Sequence, residues 1–200
     1  MKRFLLLSLL VMLTLLPILL PAPAPACVGK SLHIGSSGTL QQDLLAEILA
    51  LLISERTGTT VQVDRLSSAA AAHEALLKAE LDIAVEYTGA SQLEVLKGAQ
   101  INDPQQLLET VRTRYNEELN LVWLQPFGFS EPRAVATPIP AQAAPVVRKD
   151  TLKKFPALAR LVNKLGGMID ATTMQRLEAK AGTKTVHEVA REFLKTNHLI

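Results

Sequence analysis

The sequence predicts an α/β fold: a mainly parallel central sheet with helices on both faces. Short stretches in which apolar residues alternate with period two take turns with longer stretches in which they recur at helical spacing. Most changes of pattern coincide with a capping residue, a glycine or a proline. The clearest change lies between Ala72 and Gly89, where Ala72, Leu76, Leu77 and Ala79 fall at helical spacing while Leu81, Ile83 and Val85 alternate. A helix here runs straight into a strand, and Glu86-Tyr87-Thr88-Gly89 reads as a polar turn beyond it. Ligands of open α/β sheets bind beyond the carboxyl ends of the strands, so any site should lie near Tyr87.

The elements follow in order. Leu32 and Ile34 mark a first strand, and Ser36-Ser37-Gly38-Thr39 supplies turn and capping residues before a helix from about Leu40 to Arg56. Leu44, Leu45, Ile48, Leu49 and Leu52 share one face of that helix, and Gly58 lies just past its end. The turn aims backbone N–H groups above the strand, which suits an anion; ordinary capping accounts for the same residues. Strands near 32–35, 60–64, 81–86, 121–124 and 145–148 build the sheet. Ser67 or Ser68 caps the helix carrying His73 and Glu74, and Asp103-Pro104 opens another with Leu107, Leu108, Val111 and Tyr115 on its buried stripe. The C-terminal part is helical: one stretch from Leu152 to Gly166, broken near Phe155-Pro156, one capped by Asp170 and ending at Gly182, and a last one opened by the Thr185/Glu188 capping box.

Residues 1–26 form a secretory leader, with Lys2 and Arg3 ahead of an apolar run from Phe4 to Leu20 and Ala24-Pro25-Ala26 as a cleavage site. An uncleaved anchor is the alternative, against which Pro17, Pro21, Pro23 and Pro25 count. Cys27, the sole cysteine, excludes an internal disulfide and would follow the cleavage site directly. That position suits lipid attachment. The preceding Ala-Pro-Ala, where a lipoprotein signal has Leu and small residues, suits plain cleavage instead. Without Lys2 and Arg3 the chain carries no net charge, and with no basic cluster, nucleic-acid binding is not expected. One domain with one core is expected over residues 27–200.

The stretch His73-Glu74-Ala75-Leu76 through Glu86-Tyr87-Thr88-Gly89-Ala90 resembles a segment of ABC-transporter binding proteins for glycine betaine, choline and related osmoprotectants, which typically reads H-E-A-L-x-x-G-E-I-D-L-Y-P-E-Y-T-G-T. Leu121-Val122-Trp123-Leu124, Ala143-Ala144-Pro145-Val146-Val147-Arg148-Lys149 and Glu188 to Lys195 match further parts of the same family from Leu32 to the end. The resemblance implies one lobe of a type II periplasmic-binding-protein fold. The family's second lobe is missing between about 133 and 143, where this chain has a short proline-containing connector. The implied function is that of the extracytoplasmic substrate-binding component of such a transporter, in the periplasm or on the outer face of the membrane, partnered by a permease in the inner membrane. The alternative is a one-lobe descendant that serves as a protein-interaction module. Trp123, Phe127 and Phe129 are expected to cluster at the edge the missing lobe would cover, ready for a partner or a second copy in a homodimer.

Quaternary ammonium groups have no N–H donors, so aromatic faces hold them by cation–π contact while basic groups or backbone N–H hold an attached carboxylate. The resemblance implies an aromatic cage, of which Tyr87 is present. Ser37, Thr39, Ala90, Arg133 and Ala141 stand where the family has Lys, Phe, Thr, Tyr and Tyr. The candidate ligand-binding residues are therefore Tyr87 and Thr88, the turn residues Ser36, Ser37 and Thr39, and Arg133 as carboxylate partner. His73 beside Glu74 invites a catalytic reading, yet neighbouring helix residues point apart, and packing explains His73 as well. With no H-E-x-x-H, G-x-S-x-G or phosphate-loop glycines in the sequence, neither enzyme activity nor a cofactor or metal is expected.

Overall fold

The computed structural model describes residues 31–131, 134 and 136–200. The expectations for the leader, for Cys27 and for Arg133 fall outside them. Five strands form one sheet in the order β2-β1-β3-β5-β4: β1 Leu32–Ser36, β2 Val61–Arg65, β3 Ile83–Tyr87, β4 Leu121–Trp123 and β5 Ala143–Arg148. β1 pairs in parallel with β2 and β3. β5 runs antiparallel between β3 and β4, so four strands point one way and the late-returning strand points back.

The helices are α1 Leu40–Thr57, α2 Ala69–Leu77, a short α3 Thr88–Ala90 that widens into a π-turn Ser91–Val95, and α4 Pro104–Arg114 with a π-turn Tyr115–Leu119. α5 Lys149–Lys154, α6 Leu158–Val162, α7 Ala171–Ala181 and α8 Val186–Thr196 follow β5. Thr39, Ser68, Asp103, Asp170 and Thr185 cap α1, α2, α4, α7 and α8 with their side chains, and Gly58 closes α1 in the left-handed region at φ 68°. Among the described residues no helix is long and apolar enough to cross a membrane.

Strand alternation sorts the core into two layers. Ile34, Ile83, Val85, Ala143 and Val147 face α1 and the C-terminal helices. Ala84, Ala144, Val146, Leu121 and Trp123 face α2 and α4. Three features depart from what the sequence predicts. α1 is buried nearly all round, with Ala46, Ala50, Leu51 and Ile53 joining the expected face, because the C-terminal helices cover the side turned away from the sheet. Glu86 and Tyr87 finish β3, and Thr88 opens α3 instead of a turn. Trp123, Phe127 and Phe129 are 4%, 0% and 6% exposed and form no surface patch. Phe127 accepts the Ile169 N–H and donates to Ala143 O at 2.9 and 3.0 Å, which fastens the segment after β4 into the core.

At the connector the chain leaves and returns at one point. Ser130 and Gln142 form an antiparallel bridge, and Glu131 N–H donates to Ala141 O at 3.0 Å.

α8 shows how local signals and packing cooperate. Its capping box is complete: Thr185 Oγ1 accepts from Glu188 N–H at 3.2 Å, and Glu188 Oε2 accepts from Thr185 N–H at 2.9 Å. Its side chains reach α1 through His187–Glu47 at 2.7 Å and Arg191–Glu55 at 2.9 Å. Thr185→Ala should lower the unfolding free energy by about 1 kcal/mol, read as a reduced urea midpoint at constant m-value; an unmoved midpoint would mean that the box contributes nothing to α8.

Candidate functional site

The carboxyl ends of β1 and β3 and the starts of α1 and α2 surround an open cleft of about 890 Å³. Period-two alternation puts Tyr87 and Glu86 on opposite faces of β3, and both reach the cleft lining. Tyr87 lies toward α1. Its hydroxyl donates to Gln41 Oε1 at 2.5 Å, and Gln41 Nε2 donates to Glu131 at 3.3 Å. Burial, with the carboxylates of Glu131 and Glu178 adding to it, pushes the Tyr87 phenol up to about 12. The ring therefore stays neutral and keeps its π-face at any physiological pH.

Glu86 lies toward α2 and is 9% exposed. Its carboxylate accepts from three side chains: His73 Nδ1 at 2.9 Å, Ser91 Oγ at 3.1 Å and Tyr115 OH at 2.8 Å. The Tyr115 ring meets His73 and Trp123 edge-on at 5.7 and 5.5 Å. Burial and the adjacent Glu86 charge push the Tyr115 phenol far above its ordinary value. His73 is thus a packed residue, 8% exposed, that braces the strand carrying Tyr87. Its Nε2 has no protein partner.

The turn after β1 is held from within. Ser36, wholly buried, donates to Asp43 Oδ1 at 2.6 Å and accepts from Gly38 N–H at 3.2 Å. Arg65 grips the same Asp43 with two hydrogen bonds of 2.7 and 3.2 Å. Thr39 Oγ1 accepts from Gln42 N–H at 3.2 Å. Two of the N–H groups that could have met an anion are thereby engaged.

Of the residues singled out in the sequence, Tyr87, Ser37 and Thr39 line the cleft, as does Ala90. Ser36 and Thr88, both 0% exposed, lie beneath it. Thr88 Oγ1 accepts from Gln142 N–H at 3.0 Å and donates to Pro140 O at 3.3 Å, clamping the returning chain. Sequence reasoning missed Gln41, Glu86, Glu94, Glu131 and Glu178, which reach the cleft from separate parts of the chain. Only Glu86 carried a signal, inside the Glu-Tyr-Thr-Gly run. Among the described residues no group of His, Cys, Asp and Glu is arranged to hold a metal ion.

The chain is thus a five-stranded α/β domain with an open cleft beyond its strand ends, where the ligands of open α/β sheets bind. Over residues 30–139 and 130–196 the chain matches the family described as the substrate-binding domain of ABC-type glycine betaine transport systems, and it belongs to that family. It is 28% identical over 185 residues to the carnitine transport binding protein OpuCC of Listeria monocytogenes, covering 88% of this chain and 57% of that protein. The chain thus spans little more than half the length of this relative. Among solved structures, one of a glycine betaine/carnitine/choline ABC transporter superposes with a TM-score of 0.78 at 18% identity, over 86% of this chain and 99% of that one. Apo YehZ from Escherichia coli gives 0.73 at 18% identity, over 86% and 100%. The matching family and the Listeria relative are both described by a role in transport.

Proposed function

We propose that this chain captures a quaternary ammonium solute outside the cytoplasm for the permease of an ABC transporter, and that it does so as a single lobe. Family membership supports the role. The observation that carries it is the position of Tyr87, an uncharged ring at the carboxyl end of a central strand, lining the cleft. The Ser130–Gln142 bridge supports the single lobe, since the chain closes on itself where the resemblance places a crossing. Export by the leader, with or without a lipid on Cys27, belongs to the same reading; N-terminal sequencing and mass measurement of cell-envelope material test it, and an intact Met1 would reject cleavage.

A lone aromatic ring is a fraction of a cage, so binding should be weak. Each cation–π contact contributes about 0.5 to 2 kcal/mol, and Tyr87→Ala should weaken binding of choline or glycine betaine roughly twofold to thirtyfold in calorimetric titration. Micromolar or tighter binding unchanged by Tyr87→Ala would overturn both the weakness and the assigned site.

A second reading, an interaction module, is favoured by Leu40 and Leu77, the large apolar residues left 42% and 49% exposed among the described residues, both at the cleft. A folded protein that gives no heat with any ammonium solute would turn the assignment to this reading.

A further inference from the structure

Resting on the reading of the cleft as a quaternary ammonium site, we propose that Gln41 is its positioning residue, holding the Tyr87 ring in one rotamer so that a cation meets an ordered π-face. Among the described residues Tyr87 is the one Phe, Tyr or Trp side chain that lines the cleft. It ends β3 and packs against both core layers, yet stays half-buried. Packing thus limits the ring without enclosing it, and an aromatic side chain whose tip is free has up to three staggered χ1 wells to visit. The tip is not free. Gln41 Oε1 accepts the phenol O–H at 2.5 Å, and Gln41 Nε2 donates to Glu131 at 3.3 Å. A flipped amide would turn its oxygen onto the Glu131 carboxylate, so the two bonds together select one orientation. Gln42 also reaches this phenol, as a donor whose bond works against the upward shift, and its Nε2 donates to Val85 O at 3.4 Å. The acceptor of the phenol proton is Gln41.

Gln41 can hold the ring because both of its own supports are fixed. It is the second residue of α1, and Thr39 pins the backbone just beyond it, with Oγ1 accepting from Gln42 N–H at 3.2 Å and its carbonyl from Asp43 N–H at 2.8 Å. Glu131 sits on paired backbone too, its N–H on Ala141 O at 3.0 Å. The run Tyr87–Gln41–Glu131 therefore joins a strand end, a helix start and the connector, across 46 and 90 positions of chain. A ring ordered before the ligand arrives spares the ligand the cost of ordering it. If releasing the tip left the competent rotamer only about a third of the population, the apparent affinity would fall roughly threefold.

The test is a double-mutant cycle on ligand affinity, read by NMR titration of the folded protein with tetramethylammonium and with choline. Tetramethylammonium has no hydrogen-bonding group, so Gln41 can act on it only through the ring. Gln41→Ala and Tyr87→Phe cut the same bond from its two ends and keep a ring at position 87. Each should weaken tetramethylammonium roughly threefold, and the double variant should be no weaker than either alone. Three-bond couplings of Tyr87 should report a single χ1 in the unsubstituted protein and averaged values in Gln41→Ala, a change that a merely structural Gln41 would not produce. Tetramethylammonium affinity unmoved in Gln41→Ala, or a double variant weakened about ninefold as for independent sites, overturns the positioning role and leaves the solute site standing. A loss for choline far beyond that for tetramethylammonium overturns it too, and makes Gln41 a direct contact of the choline hydroxyl. If the folded protein binds neither probe, the role falls together with the reading beneath it.

Discussion

Replacing Glu86 by alanine is expected to cost about 3 to 5 kcal/mol of folding free energy, lowering Tm by roughly 6 to 20 °C for a domain of this size. The carboxylate is 9% exposed and receives three hydrogen bonds from side chains that are themselves packed. Truncation leaves His73 Nδ1, Ser91 Oγ and Tyr115 OH without an acceptor in a layer that also holds Trp123 and Leu107, and each stranded polar group carries its own desolvation cost. Glu86→Gln keeps the shape and one of the two accepting oxygens, the other becoming a donating NH2, so it should cost less, about 1 to 3 kcal/mol. Chemical denaturation of both variants measures the difference. A loss under about 1 kcal/mol for the alanine variant would show that the network is incidental. The effect reaches function because Glu86 precedes Tyr87 on the same strand: loosening its anchor loosens the ring over the cleft.

Phe127→Ala should be comparably severe, at about 3 to 5 kcal/mol. The sequence places Phe127 on an exposed edge with Trp123 and Phe129, where truncation would be worth no more than about 0.5 kcal/mol. In the structure its side chain is 0% exposed and packs in the layer that α1 shares with the C-terminal helices. Removing the ring deletes its transfer free energy and opens a cavity that a sheet on one side and helices on the other cannot readily close. Urea denaturation decides between the two placements. A midpoint close to that of the unsubstituted protein would restore the exposed edge as a candidate interface.

Local signals determined much of this molecule before any contact was known. Thr39, Ser68, Asp103, Asp170 and Thr185 start their helices because a capping side chain bonds N–H groups two or three residues away, a distance the sequence states directly. Ile83 and Val85 alternate because one face of β3 meets α1, and the change to helical period on either side follows from the same burial. Tyr87 was legible as lying at a strand end, and its ring lines the cleft, although Glu86 and Tyr87 read as a turn beyond the strand whose last two residues they form.

What only the tertiary structure decided involves partners far apart in the chain. Glu86 meets His73 and Tyr115 across 13 and 29 positions. α1 loses its outward face because helices more than a hundred residues later cover it. Trp123 and Phe129 look surface-bound until β5 returns beside them. The acidic lining of the cleft is likewise invisible in a chain without net charge beyond Cys27, since Glu131 and Glu178 act on the one Tyr87 ring only when α7 and the connector fold toward β3. Periodicity records which side of an element is buried, and it carries no record of what buries it.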